Sequence, residues 1–269
     1  MREMTPDEVK KVQLEILDVV AEFCDRNNIK YWLDSGTLLG AVRHKGYIPW
    51  DDDIDLGMLR PDYDRFLREF NLSNDRYRFV CGENSRDFHS AYGKVLDTTT
   101  VLYEPDMSGY KLAVNIDVFV YDNAPDDDRL VKKMFDKRDQ YRRLSDYRNL
   151  GRINEYDSLS KKIAKRAVFS ILRLFPKDFF VKKMVRNTKK YKDTATKRIG
   201  NFTSVARAVC DTSTFYEMMY IEFEGKYYRA PKDWDKWLTV FYGDYMTLPP
   251  VEKRITHHSY VAFWGSDYI

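Results

Sequence analysis

Cysteine and histidine are scarce in this chain, with three cysteines (Cys24, Cys81 and Cys210) and four histidines among 269 residues. An odd number of cysteines at wide, unrelated spacings makes neither a disulfide framework nor a zinc site, so they read as reduced core thiols of a cytoplasmic protein. Long apolar runs are lacking too. No stretch reaches the ~18 uninterrupted apolar residues of a membrane span, and Met1 to Lys11 is charged, without the apolar core of a signal peptide. The expectation is a cytosolic or peripherally bound protein. Internal repeats, low-complexity tracts and Gly/Ser/Pro-rich linkers are also missing, which excludes solenoids and strings of separate modules and leaves one fold with an inserted helical region.

What is present is enough apolar material for a core, 43% of residues, which excludes a disordered chain. Aromatics reach 15%, a bias that suits sugar, base or lipid-headgroup contact and equally an aromatic-rich core. The net charge is only +3, yet Arg129 to Arg198 holds 23 Lys and Arg against 7 Asp and Glu, so this middle segment is strongly basic and the remainder acidic. Such asymmetry points to an anionic partner or to a solvated helical surface.

Thr5-Pro6-Asp7-Glu8 reads as a capping box with proline at the first helical position, followed by Val9, Val12, Ile16, Val19, Val20 and Phe23 at helical spacing. This predicts a helix over 6–26. Ile29 to Leu33 predicts a strand, which Asp34-Ser35-Gly36 breaks before a short helix over Thr37 to Arg43. Trp50 to Gly57 alternates as a strand does, with Asp51, Asp53 and Asp55 on one face. Further predictions are a helix over 61–70 and strands at Arg78 to Cys81, Ala91 to Leu96 and Leu112 to Tyr121. Residues 126–193 read as basic helices, Glu224-Gly225 as a hairpin turn, and Pro231 as the opening of a last helix.

Three carboxylates on one strand face repel one another, and a fold keeps them only if a cation neutralises them. Aspartate oxygens are hard ligands, so Mg²⁺ or Mn²⁺ is the natural ion; the alternatives are a solvated edge or a calcium loop, although the EF-hand spacing is missing. Asp117, a lone acid in the apolar strand Asn115-Ile116-Asp117-Val118-Phe119, should also have a partner. If the two strands are neighbours, it completes a three-carboxylate site able to hold metal beside a pyrophosphate. Gly36-Thr37 is a glycine turn into a helix N-terminus, either a phosphate cradle or a simple cap. Arg43, His44 and Lys45 at that helix's far end bind phosphate or satisfy its C-terminal dipole.

The run from Gly36 to Asp55 (GTLLGAVRHKGYIPWDDDID) resembles the signature of the LicD family. Lys94-Val95-Leu96-Asp97 with Thr99, Ile116-Asp117-Val118-Phe119, and Tyr242-Gly243-Asp244-Tyr245-Met246 followed by Leu248-Pro249-Pro250, Arg254 and His257 extend the likeness over most of the chain. The basic middle is least covered. That family is grouped with polymerase-β-like nucleotidyltransferases and includes bacterial phosphocholine transferases acting on teichoic acids or lipopolysaccharide, with fukutin-type ribitol-phosphate transferases as distant relatives. The resemblance implies an α/β (α+β) fold, a nucleotidyltransferase-like mixed sheet flanked by helices: a catalytic core over 1–125, a basic helical region over 126–200 and a C-terminal part over 201–269 that completes the core.

By the same resemblance, Asp53, Asp55 and Asp117 are the catalytic, metal-holding carboxylates, and Gly36 and Thr37 the phosphate-binding element. Arg43, Lys45, Asp51 and Lys94 are further candidates for substrate contact; Asp51 lies outside the usual pair, and Lys94 either meets phosphate or pairs with a nearby acid. The implied reaction takes phosphocholine or a related phospho-alcohol from a CDP-activated donor such as CDP-choline to a glycan hydroxyl, with Mg²⁺ or Mn²⁺, at the inner face of the cell membrane. Nucleic acid is not expected as a partner. Trp32, Trp50 and Trp234 are candidates for a cage around a quaternary ammonium or for ordinary packing. Tyr242 to Tyr245 either closes over the nucleotide or packs the last helix, with packing the favoured reading. Lys161 to Phe175 mixes basic and apolar residues as an interfacial helix does, or as a packed one. Transfer of a nucleotide to RNA or protein, and binding of a CDP-alcohol without turnover, are the competing functions.

Overall fold

Thr5 begins the first helix where its capping residues put it. Its hydroxyl accepts the Glu8 amide at 3.2 Å while the Glu8 carboxylate accepts the Thr5 amide at 2.9 Å, and α1 runs Pro6–Arg26. Val9, Val12, Ile16, Val20 and Phe23 form its buried face, which lies against the central sheet. In this computed structural model, which describes residues 1–104, 112–151, 156–256 and 260–265, the chain is a mixed α/β protein of the α+β type. Its three cysteines are buried and unpaired.

The central sheet runs in the order β2 (Trp32–Leu33), β3 (Asp55–Leu59), β7 (Asn115–Ala124), β5 (Gly93–Asp97) and β4 (Tyr77–Cys81). β3 and β7 are parallel and the other pairs along this order antiparallel. A parallel pair needs a long crossover, and the chain between them holds α3 (Arg60–Glu69), β4, β5 and β6 (Thr100–Tyr103). The far half of β7 continues into a ladder with β8 (Arg198–Gly200) and β9 (Val209–Asp211). A small sheet joins β1 (Arg2–Glu3), β12 (Val261–Trp264) and β6. Glu224 and Gly225, at φ 50° and 75°, turn a hairpin between β10 (Met218–Phe223) and β11 (Lys226–Pro231), as two left-handed residues do in a type I′ turn.

The basic middle folds into α4 (Asp128–Asn149), α5 (Leu159–Leu172) and α6 (Phe179–Thr188). Two buried arginines tie these helices to the core. Arg60, at the start of α3, makes a fork onto Asp122 of β7 at 2.8 and 2.7 Å and reaches Thr188 of α6 at 3.2 Å. Arg138 of α4 donates to the carbonyls of Ser204, Val205 (3.2 Å) and Ala206 (2.8 Å). Helix α4 thereby holds the 204–206 loop in place.

Several boundaries differ from the sequence reading. The strand expected from Trp50 starts only at Asp55, because the Asp51 amide turns back to the Ile48 carbonyl at 2.8 Å and ladder pairing begins at Asp55. Asp51 and Asp53 therefore sit in a loop, off the strand face assigned to them. The strand expected from Ile29 is only Trp32–Leu33. Pro231 closes β11, and the last helix, α7 (Trp234–Tyr242), starts behind Asp233.

Candidate active site

The parallel register between β3 and β7 sets Asp55 level with Asp117, and the Asp117 amide donates to the Ile54 carbonyl at 2.8 Å. Side chains at paired positions share one face of a sheet. On the other edge of β3 the Asp34 amide donates to the Asp55 carbonyl at 2.9 Å, and α2 (Ser35–His44) begins immediately after Asp34. Ser35 takes φ 48°, a left-handed conformation that costs a non-glycine residue roughly 1 to 2 kcal/mol and makes the turn sharp. The glycine turn, the strand end and the lone acid of β7 thus meet at one place.

A cavity of about 550 Å³ opens there, and its wall includes Gly36, Arg43, Asp51, Asp53, Asp55 and Asp117. Gly36 lies close to the acidic loop: a Cβ at that position would stand 2.6 Å from Asp51 Oδ2 and would displace that carboxylate. Burial, followed by the fields of Asp53, Asp117, Asp34 and Asp51, pushes the Asp55 carboxyl well above the usual carboxylate range. Asp51, Asp52 and Asp53 present carboxylate oxygens all within 4.8 Å of one another. A second, smaller cavity shares Asp53 and Asp117 with the first and adds Lys94, Asn115 and Asp52. Lys94 Nζ lies 2.5 Å from Asp117 Oδ1 and 2.9 Å from Asn115 Oδ1.

Of the predicted substrate contacts, Thr37 and Lys45 stand outside the main cavity and Lys94 lines the smaller one. Thr37 is buried, and its hydroxyl accepts the Asp55 amide at 2.8 Å; it fixes a carboxylate of the site and stands behind the cavity wall. Lys45 caps the far end of α2, about 14 Å along the axis from Gly36, where it is exposed and lies 3.4 Å from Glu222. Lys94 reaches the site through Asp117, on the side of the smaller cavity. Arg43 does line the main cavity, and its guanidinium donates to the Tyr245 carbonyl at 2.8 Å.

Of the three tryptophans weighed for a cage, Trp32 is fully buried against Tyr121 and Phe215, with its ring lying across Gly57. Trp234 packs edge-on to Tyr245. Trp50 lines the cavity, with Arg254 over its ring at 5.4 Å. His257 lies outside the described residues. Tyr242, Asp244 and Tyr245, for which the sequence left closure over the nucleotide and packing of the last helix both open, form part of the cavity wall. Phe119 and the Ser204 to Ala206 loop were missed as lining residues; the alternation of β7 offered a signal for Phe119, and no local pattern marks the loop. Asp34 was also missed. It is fully buried, accepts Trp237 Nε1 at 2.9 Å and the Tyr121 hydroxyl, and so clamps the start of α2 to β7 and α7.

Comparison with known proteins adds an independent line. Residues 28–154 match the family model described as LicD/FKTN/FKRP, nucleotidyltransferase domain. That span runs from just before β2 to the first residues beyond α4 and contains every residue singled out above as catalytic or substrate-binding. Residues 28–154 are thus similar to the LicD-family nucleotidyltransferase domain. The chain is 29% identical over 269 residues to the lipopolysaccharide cholinephosphotransferase LicD of Haemophilus influenzae, covering 98% of this chain and 99% of that protein. It is 56% identical over 34 residues to the human ribitol 5-phosphate transferase FKRP, 13% of this chain and 7% of the relative. Against the human ribitol-5-phosphate transferase FKTN the figures are 37% over 54 residues, 20% and 12%. The likeness to the bacterial LicD protein extends over the basic helices and the C-terminal cavity wall, beyond the residues the family model matches.

Proposed function

We propose that this chain transfers phosphocholine or a related phospho-alcohol from a CDP-activated donor to a hydroxyl of a cell-surface glycan, such as a lipopolysaccharide or teichoic acid precursor, releasing CMP. The observation that supports it best is the meeting of Asp53, Asp55 and Asp117 in one cavity at the start of α2. Relatives named as cholinephosphotransferase and ribitol-phosphate transferases support the class of group moved.

The donor set fits a hard divalent cation: the cavity wall sets Asp51, Asp53, Asp55, Asp117 and Asp244 against Arg43 among the described residues, and burial, followed by crowding of like charge, already perturbs Asp55. Asp53, Asp55 and Asp117 would hold Mg²⁺ or Mn²⁺, which neutralises charge on the donor's pyrophosphate. The chain's own groups supply placement. Thr37 and Asp34 fix Asp55 and the turn beside it, and Lys94 with Asn115 orients Asp117. The glycan hydroxyl attacks the phosphorus that bears the alcohol, the bond from that phosphorus to the CMP oxygen breaks, and Asp117 takes the hydroxyl proton. Positioning and electrostatics carry most of the acceleration in such a transfer. Trp50, Phe119 and Tyr242 give the cavity an aromatic wall suited to a quaternary ammonium.

A thermal-shift screen tests the donor class, since a ligand that binds only the folded state raises its apparent stability. CDP-choline with Mg²⁺ is expected to raise the midpoint, and Asp53→Ala to abolish CMP release. A shift with nucleoside triphosphates alone, or an Asp53→Ala variant with full turnover, would overturn the proposal.

A further inference from the structure

Helix α5 runs against the usual rule that a surface helix turns its apolar side inward. Its inward face consists of Phe169 and Leu172, which are buried, with Phe169 beside Tyr147 of α4. At roughly 100° per residue, Ile163, Ala167 and Ile171 fall on the opposite side, and that side faces solvent: Ile163 is 57% exposed and Ile171 60%, while Leu174, in the turn just past the C-cap Arg173, is 83% exposed. Leu159 continues the stripe at the helix start and is 73% exposed. Ordinary packing, the competing reading of this segment, accounts for the two inward residues and leaves this stripe unexplained.

Charge is arranged around the stripe in a consistent way. Lys161, Lys162, Lys165, Arg166 and Arg173 lie on α5 or its C-cap, and no Asp or Glu occurs between residues 159 and 175. Lys161, Arg166 and Arg173 are exposed and flank the apolar stripe on its two sides. Asp157, just ahead of the helix, is paired with Lys165; an apolar face bordered by the remaining cations is the chemistry of a helix lying at a bilayer surface. A protein partner of similar size would ordinarily bring a mixture of charges to a rim of this kind, whereas here every flanking charge has one sign. No helix among the described residues is long and apolar enough to cross a membrane, so contact from one side is the mode the chain offers.

We infer that α5 docks flat on an anionic lipid surface, with Ile163, Ile171 and Leu174 entering the headgroup boundary and Lys161, Arg166 and Arg173 among the lipid phosphates. This deepens the proposed function, in which the glycan acceptor is carried on a lipid anchor, and it rests on that reading for its purpose only. Through α4, whose Arg138 holds the 204–206 loop at the cavity wall, the docked helix is joined to the site by packed elements.

Flotation with phosphatidylcholine vesicles containing about 30% phosphatidylglycerol reads binding without any turnover, so its failure is separable from failure of the transfer reaction. Wild-type protein is expected to float with these vesicles and to stay at the bottom with pure phosphatidylcholine. The variant Lys161→Gln/Arg166→Gln/Arg173→Gln should lose about fivefold in partitioning per charge removed, and Ile163→Glu/Ile171→Glu/Leu174→Glu should lose at least about tenfold. Both triple variants change exposed side chains, and each is first shown to unfold at the wild-type midpoint. Wild-type protein that stays at the bottom with anionic vesicles would overturn the inference. So would apolar-stripe variants that float as well as wild type. A concentration-dependent dimer that Ile171→Glu abolishes, without vesicle binding, would assign the stripe to a second copy of the chain and overturn it equally.

Discussion

Replacing Thr37 by valine keeps the shape of the side chain and removes one hydrogen-bond acceptor. In the structure that acceptor receives the buried Asp55 amide at 2.8 Å, and the amide has no route to water because Thr37 and Asp55 are both buried. A buried donor left without a partner costs about 1 to 3 kcal/mol. For a chain of this size that corresponds to a fall of roughly 2 to 12 °C in unfolding midpoint. Thr37→Ser retains the oxygen and loses a methyl group, a loss of about 1 kcal/mol. Urea denaturation of the three proteins reads the stability difference, and CMP release reads the effect on Asp55, whose misplacement by about 1 Å can cost on the order of 100-fold in rate. The reasoning predicts Val well below Ser in both measurements. A Thr37→Val protein with wild-type stability but weakened donor binding would refute it and return Thr37 to the role of a phosphate contact.

Asp122→Ala should destabilise by about 3 to 5 kcal/mol, since it leaves the Arg60 guanidinium buried without its forked partner; Arg60→Met/Asp122→Leu should recover much of that loss in the same urea assay. Asp55→Asn should raise the unfolding free energy of metal-free protein by about 1 to 2 kcal/mol, because it removes a buried carboxyl from a cluster of like charge, and should end CMP release. Arg138→Met should cost about 2 to 4 kcal/mol through the carbonyls it leaves unmet, and should raise KM for the donor because the loosened Ser204 to Ala206 loop is part of the cavity wall.

Local chemistry made α1 legible: its capping box, proline and apolar spacing act within one turn of the residues that show them, and both ends agree with the structure. The hairpin at Glu224-Gly225 was legible for the same reason, since two left-handed residues specify the turn. Asp51 to Asp55 misled because alternation alone cannot tell a strand from an extended loop; the difference lies in a ladder partner that begins only opposite Asp117. The lone acid in β7 pointed to a partner from burial cost, and the register supplies one beside Asp55. Lys45 was read at the far end of its helix with two roles open, phosphate contact or the C-terminal dipole, and only its exposed place beside Glu222 separates them. Asp34, Ser204 and Tyr242 meet the site through contacts with distant parts of the chain, and nothing in their immediate neighbours encodes such contacts. Helix α5 shows the limit most clearly: its residues suggested both packing and an interface, and only its seating on α4 separates the inward pair from the outward stripe.

The central claim is that Asp53, Asp55 and Asp117 together hold a divalent cation beside an activated phosphodiester. Mn²⁺ binding followed by electron paramagnetic resonance, with CDP-choline present, tests it most directly across asparagine variants of the five clustered aspartates. Asp53→Asn, Asp55→Asn and Asp117→Asn are each expected to weaken Mn²⁺ binding by at least about tenfold, with Asp51→Asn and Asp52→Asn close to wild type. Wild-type Mn²⁺ affinity in Asp55→Asn and Asp117→Asn, with loss in Asp51→Asn and Asp52→Asn, would contradict the account and assign the ion to the loop alone.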